Sequence, residues 1–123
     1  RIKGRYMGRL SAQLGRQAED RAAAFLQAQG YEILQRNFRG GRGEIDIICR
    51  KGGVIYFVEV KYRGADSWVA PAEAVSADKR RRLYQAAQVW LKKHASMDCA
   101  CSFLLLTISA TGTMDLIEDF LHW

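Results

Sequence analysis

Cysteine, histidine and proline are all scarce in this chain, and each shortage closes off a class of protein. The three cysteines, Cys49, Cys99 and Cys101, make an odd set. With Cys49 inside an apolar strand-like stretch, they fit reduced thiols in the cytoplasm better than a disulfide framework. A zinc site would have to combine Cys99-x-Cys101 with His94 or His122, the only two histidines, at a spacing that matches no common zinc template. A single proline, and neither repeats nor low-complexity tracts, leave no internal boundary. Residues 11–123 therefore read as one domain, long enough to bury a core without staples. Residues 1–10 begin Arg1-Ile2-Lys3-Gly4-Arg5-Tyr6. They read as a basic arm, either poorly ordered or left over from expression, without the apolar stretch of a secretion signal. Long apolar runs are missing as well. The longest, Phe103 to Ile108, is strand-sized, so a soluble protein with no membrane partner is expected. Acids are outnumbered 13 to 19 by Lys and Arg, a formal charge of +6. That balance suits a polyanion such as nucleic acid, although basic surfaces are also common on proteins that bind nothing acidic.

What the chain does have is concentrated between Gly43 and Lys61, where β-branched and aromatic residues on either side of Gly52-Gly53 read as two strands joined by a tight turn. A symmetric two-residue loop sets Asp46 opposite Glu59 and Glu44 opposite Lys61. Because side chains alternate along a strand, these four share one face. Directly opposed Cβ atoms lie about 4.5–5.5 Å apart, so two carboxylates there can reach one cation. Facing acids repel unless a metal or a proton relieves them. Hard carboxylate oxygens favour Mg²⁺ or Mn²⁺, and a nearby lysine can orient a water or stabilise a phosphate oxygen. The chemistry inferred is phosphodiester hydrolysis. The plainer alternative is a surface hairpin with one charged face, and a one-residue change in loop length would part the two charged sets.

Around this hairpin the other elements fall in order. From Ser11 to Gln29, Leu14, Ala18, Ala22, Phe25 and Leu26 recur at helical spacing and Gly30 supplies the stop. Glu19 sits at the edge of that apolar stripe, where a carboxylate is costly unless paired; Arg16 or Arg21 would serve. Tyr31 to Phe38 reads as a strand. Arg39-Gly40-Gly41-Arg42-Gly43 is glycine-rich, but it is followed by a strand and not a helix, which excludes a dinucleotide-binding turn. Its glycines and flanking Arg39 and Arg42 would let a phosphate backbone approach, and a plain turn explains them equally well. Tyr62 to Val69, with Arg63 and Trp68, reads as a loop at the mouth of the site. Ser76 and Asp78 open a second helix to about His94, with Leu83, Ala86, Ala87, Trp90 and Leu91 inward. Lys79, Arg80, Arg81 and Arg82 crowd its first turns against the helix dipole, costly unless an anion is near. They read either as a phosphate contact or as a solvated face balanced by Asp78. Ser102–Ile108 and Met114–Phe120 close the chain as a strand pair.

Gly43-Glu44-Ile45-Asp46 with Phe57-Val58-Glu59-Val60-Lys61 resembles the YraN-like uncharacterised proteins, a branch of the PD-(D/E)XK nuclease-like superfamily that includes archaeal Holliday junction resolvases. The likeness continues through Gly15-Arg16-Gln17-Ala18-Glu19, Gly30 to Leu34, Arg36-Asn37-Phe38, Tyr62-Arg63, Pro71 to Val75 and Lys79. Ile45 stands where the superfamily name expects proline, as is usual in this branch, and Leu104 stands where aspartate is frequent. The resemblance implies a restriction-endonuclease-like α/β fold, a mixed central sheet flanked by helices in the order α-β-β-β-α-β-β. It implies a metal-dependent endonuclease in which Asp46 and Glu59 hold Mg²⁺ or Mn²⁺, Glu19 completes or supports the shell and Lys61 assists the water or the phosphate. Glu44 would be a further ligand or the partner of Lys61. Arg39, Arg42, Arg63, Lys79 and Arg82 are the expected DNA or RNA contacts, Lys79 being favoured by its match to the family. A homodimer is expected only by analogy with the resolvases. The alternative is a non-catalytic nucleic-acid-binding or adaptor protein that keeps the fold.

Overall fold

The computed structural model describes residues 16–62, 76–94 and 99–118. Residues 16–28 are helical (α1). They are followed by β1 (Glu32–Gly40), β2 (Gly43–Lys51), β3 (Val54–Tyr62), α2 (Ala77–His94), β4 (Cys101–Ile108) and β5 (Met114–Glu118). The strands form one mixed five-stranded sheet in sequence order. Its pairings are antiparallel except β3 with β4, which are parallel and joined through α2. A parallel pair needs such a crossover, and α2 is it. The expected order of elements and the mixed sheet between helices are both present. The N-terminal arm, Arg63, Trp68 and Pro71 lie outside the described residues. No helix among the described residues is long and apolar enough to cross a membrane.

Each helix covers one face of the sheet. Ala18, Ala22, Ala23 and Leu26 of α1 are buried with Ile47, Cys49, Val58, Leu104, Leu106 and Ile108. On the other face Leu83, Ala86, Ala87, Trp90 and Leu91 of α2 are buried with Phe38, Ile45, Ile48, Phe57 and Phe103. The inward set of α2 is the one its 3.6-residue period dictates. Leu104 is fully buried under α1, where it has a packing role. The start of α2 is fixed by its cap: Ser76 Oγ accepts the Lys79 amide at 3.1 Å, satisfying one of the donors that a helix N-terminus leaves open.

The β2–β3 hairpin turns at Gly52 and Gly53, with φ of 59° and 78°, the two left-handed positions of a type I′ turn that favour glycine. Its pairs, from Lys51↔Val54 to Ile47↔Val58, follow the symmetric register. At Asp46 the pattern departs from simple alternation. Ile45 is buried under α2 and Ile47 under α1, so the residue between them stands where the pleat reverses. The neighbouring strand is distorted at the same level: Asn37, between the pairs Arg36↔Ile47 and Phe38↔Ile45, has φ 54°, a conformation asparagine tolerates better than most residues. The expectation that Glu44, Asp46, Glu59 and Lys61 all line one regular face is therefore corrected. Their positions depend on this kink.

Candidate active site

The kink opens a fork in the sheet. Beyond Ile47↔Val58 the backbone pairing of β2 with β3 ends, while β3 continues beside β4 through Glu59↔Leu105 to Tyr62↔Ile108. The Val60 amide, which a paired strand would have bonded, donates instead to Asp46 Oδ2 at 2.8 Å. Asp46 is thereby held in the fork, close enough to hydrogen-bond with Glu59. Glu59 is itself buried, with 7% of its side chain exposed.

The α2 helix closes the fork from above. Gly43 makes this possible: a Cβ there would stand 1.9 Å from the Arg82 carbonyl oxygen, so only glycine lets the first turns of α2 lie directly on the start of β2. The expectation had given this glycine a role in admitting a phosphate, but its neighbour is the helix backbone. From that position Lys79 Nζ meets Glu59 Oε2 at 2.5 Å, and Arg82 Nη2 pairs with Asp78 Oδ2 at 2.6 Å. The crowding of cations at this helix start is thus answered by two anions, one on the helix and one on the sheet. Arg42, Gly43, Glu44, Asp46, Glu59, Lys79, Arg82 and Leu83 together line a cleft of about 240 Å³.

The electrostatics follow from crowding acids in a half-buried place. Burial pushes the Asp46 carboxyl up, and the neighbouring Glu59 and Glu19 push it further. The Val60 hydrogen bond offsets only part of this, leaving it at about 8. Glu19 is also raised, first by burial and then by Glu44 and Asp20, against a hydrogen bond from Asn37 and the charge of Arg36. For Lys79, burial alone would lower the ammonium, but its hydrogen bond and attraction to Glu59, with Asp46 and Glu44 adding, outweigh burial and raise it.

Of the residues singled out from the sequence, the fold brings Asp46, Glu59, Lys79, Arg42 and Arg82 to one cleft, with Glu44 on its wall. Glu19 reaches the group from α1 through its field on Asp46. Lys61 and Arg39 are exposed and do not line the cleft; the backbone of Arg39 stands opposite that of Glu44 across β1 and β2. The ammonium that touches the acid pair is that of Lys79. Asn37, for which the sequence pattern suggests no role, bonds Glu19 and lies across from Asp46. The signal in the sequence was an asparagine interrupting a strand, a residue type that accepts left-handed backbone.

The donor set is compatible with a hard divalent cation, with a limit. Asp46 and Glu59 offer carboxylate oxygens under mutual repulsion, and Mg²⁺ is commonly held by one or two carboxylates with waters and substrate phosphates. Among the described residues no three acids, histidines or cysteines stand close enough to hold a metal together. Glu19, Asp46 and Glu59 do not form such a group, and Glu19 acts on Asp46 through its charge.

Residues 18–117 match the uncharacterised protein family UPF0102, a span that holds every residue of the cleft. A UPF0102 protein of Nitratidesulfovibrio vulgaris (strain DP4) is 44% identical over 108 residues, 85% of this chain and 81% of the relative. Those of Geobacter metallireducens and Hahella chejuensis are 41% and 40% identical, covering 85% and 92% of this chain and 86% and 94% of their own. With its fork and its cleft inside the matched span, the chain belongs to the uncharacterised protein family UPF0102.

Proposed function

We propose that this protein is a metal-dependent nuclease, hydrolysing phosphodiester bonds in DNA or RNA on a restriction-endonuclease-like fold of the PD-(D/E)XK kind. The observation that carries the reading is the pair Asp46 and Glu59, set together in the sheet fork with an ammonium and two guanidinium groups around them. The element order and the resemblance of Gly43–Asp46 and Phe57–Lys61 support the superfamily assignment.

In this reading Asp46 and Glu59 hold Mg²⁺ or Mn²⁺, which supplies Lewis-acid polarisation of the phosphate and a more acidic water. The chain does the rest. The Val60 amide fixes the Asp46 carboxylate, Lys79 fixes that of Glu59, and both are thereby oriented before substrate arrives. Arg42 and Arg82 at the rim meet the non-bridging oxygens of the phosphate, with Arg82 already positioned by Asp78. Lys61, exposed on β3 beyond the cleft, is left to the flanking phosphates.

One observation favours a second reading, a non-catalytic nucleic-acid-binding protein: Lys79 already neutralises Glu59 without any metal. Branched, duplex and single-stranded DNA and RNA incubated with Mg²⁺ or Mn²⁺ separate the two. A nuclease cleaves at least one of them and loses that cleavage in Glu59→Gln. Salt-sensitive binding with no cleavage on any of them assigns the cleft to the second reading.

A further inference from the structure

Next to the acidic cleft lies a second groove of about 430 Å³, lined by Gly41, Gln85, Gln88, Val89 and Lys92. The two draw on the same turn and the same helix. Gly41 and Arg42 are consecutive in the β1–β2 turn, and Arg82, Gln85, Gln88 or Val89, and Lys92 follow one another along a single side of α2 at intervals of three or four residues. The floor is close-packed: a Cβ on Gly40 would lie 3.0 Å from Val89 Cβ, so the hairpin end rests on the helix while Gly41, at φ 59°, carries the turn up beside it.

The linings differ in kind. The cleft holds three carboxylates, whereas none of the described residues lining the groove is acidic. It offers an ammonium and two side-chain amides, all exposed, donors that meet phosphate oxygens without reading bases. From Arg82 to Lys92 the row is about 15 Å long at ~1.5 Å per residue, long enough to follow successive phosphates of one strand.

We infer that this groove is the track of a nucleic-acid strand, holding the sugar-phosphate backbone that flanks the scissile bond and leading it along α2 away from the acid pair. The inference rests on the nucleic-acid reading of the cleft. Its occupant is one strand of DNA or RNA, chosen by charge complementarity and by continuity with the cleft.

The test uses the full chain, labelled single-stranded and branched oligonucleotides of DNA and RNA, and fluorescence anisotropy across salt concentrations. Lys92→Glu is compared with Lys93→Glu, which makes the same charge change in the same last turn of α2 but outside the groove lining. Any loss from reversing charge at the helix end is common to both. The track requires Lys92→Glu to weaken binding about tenfold and to lower the salt slope by about one phosphate, with Lys93→Glu within about threefold of the parent. Gln88→Glu weakens binding in the same sense. Equal effects of the two lysine reversals overturn the track, while salt-sensitive binding by the parent keeps the cleft reading. A parent that binds none of the oligonucleotides removes both. Thermal unfolding and the Mn²⁺-induced shift of Lys92→Glu stay at parental values if only the track has been disturbed.

Discussion

Replacing Asp46 by asparagine tests the acid pair through stability, without requiring the reaction to be known. In the folded chain the Asp46 carboxyl is raised from 3.8 to about 8, by burial first and by Glu59 next. A carboxyl raised by folding contributes stability that is fully present below its unfolded value and is lost as pH rises through its folded value. Metal-free parent should therefore weaken between about pH 4 and pH 8. Roughly three pH units of that span lie below pH 7, and at about 1.4 kcal/mol per unit the loss there is at most ~4 kcal/mol. Asn keeps an oxygen for the Val60 amide and turns an NH₂ donor toward Glu59, so it removes the titration and the repulsion together. The variant should match the parent near pH 4 and exceed it at pH 8, by up to about 4 °C in Tm for each kcal/mol in a chain of this size. Titrating groups that Asp46 does not touch cancel in the comparison. Mn²⁺ should narrow the gap: the parent gains about 2.7 kcal/mol at a hundredfold excess over Kd, as any ligand of the folded state alone requires, and the variant gains little. Urea unfolding at pH 5 and pH 8, with and without Mn²⁺, measures four values for each protein. Parallel pH curves for parent and variant would refute the electrostatic account, and an equal metal shift would refute the ligand assignment.

Lys79→Met removes the ammonium from buried Glu59; because Lys79 is itself half exposed, the expected cost is about 1–3 kcal/mol, largely restored by Mn²⁺, read by chemical denaturation. Gly43→Ala places a methyl 1.9 Å from the Arg82 carbonyl and should lift the start of α2, costing about 2–3 kcal/mol together with loss of any cleavage. Ser76→Ala deletes the cap on the Lys79 amide and should cost about 1 kcal/mol in thermal unfolding, with the Mn²⁺ shift unchanged.

The parts legible in the sequence are those governed by rules of short range. The cap at Ser76 and the inward set from Leu83 to Leu91 follow from helix period and end chemistry, and the structure has both. Gly52-Gly53 announces its turn, and the turn fixes the register of Ile47 on Val58. The kink at Asn37 and Asp46 is marked only by the asparagine itself, and strict alternation, assumed whenever a strand is read from its pattern, hides it. The exchange of lysines was not legible. Glu59-x-Lys61 is adjacent in sequence, but Lys61 is exposed on β3, and the cation at Glu59 arrives from a helix that lands there only because Gly43 has no side chain. Contacts of that kind depend on how two elements dock, which no local pattern records.

Docking also explains why two locally unfavourable features persist together. Four consecutive cations at the start of α2 oppose the helix dipole, and a buried glutamate beside a second acid is costly by itself. Each is relieved by the other once α2 rests on β2, since Lys79 supplies Glu59 with its counter-ion and Glu59 and Asp78 supply the helix with its anions. Removing either partner therefore leaves the other charge without its relief. The same coupling makes the acid pair sensitive to anything that enters the cleft. A divalent cation reaching Glu59 must share or displace Lys79, and the freed ammonium would then stand at the rim beside Arg42 and Arg82, where a phosphate would meet it. Metal and polyanion would in that case assist one another at a site that, without either, is held closed by its own lysine.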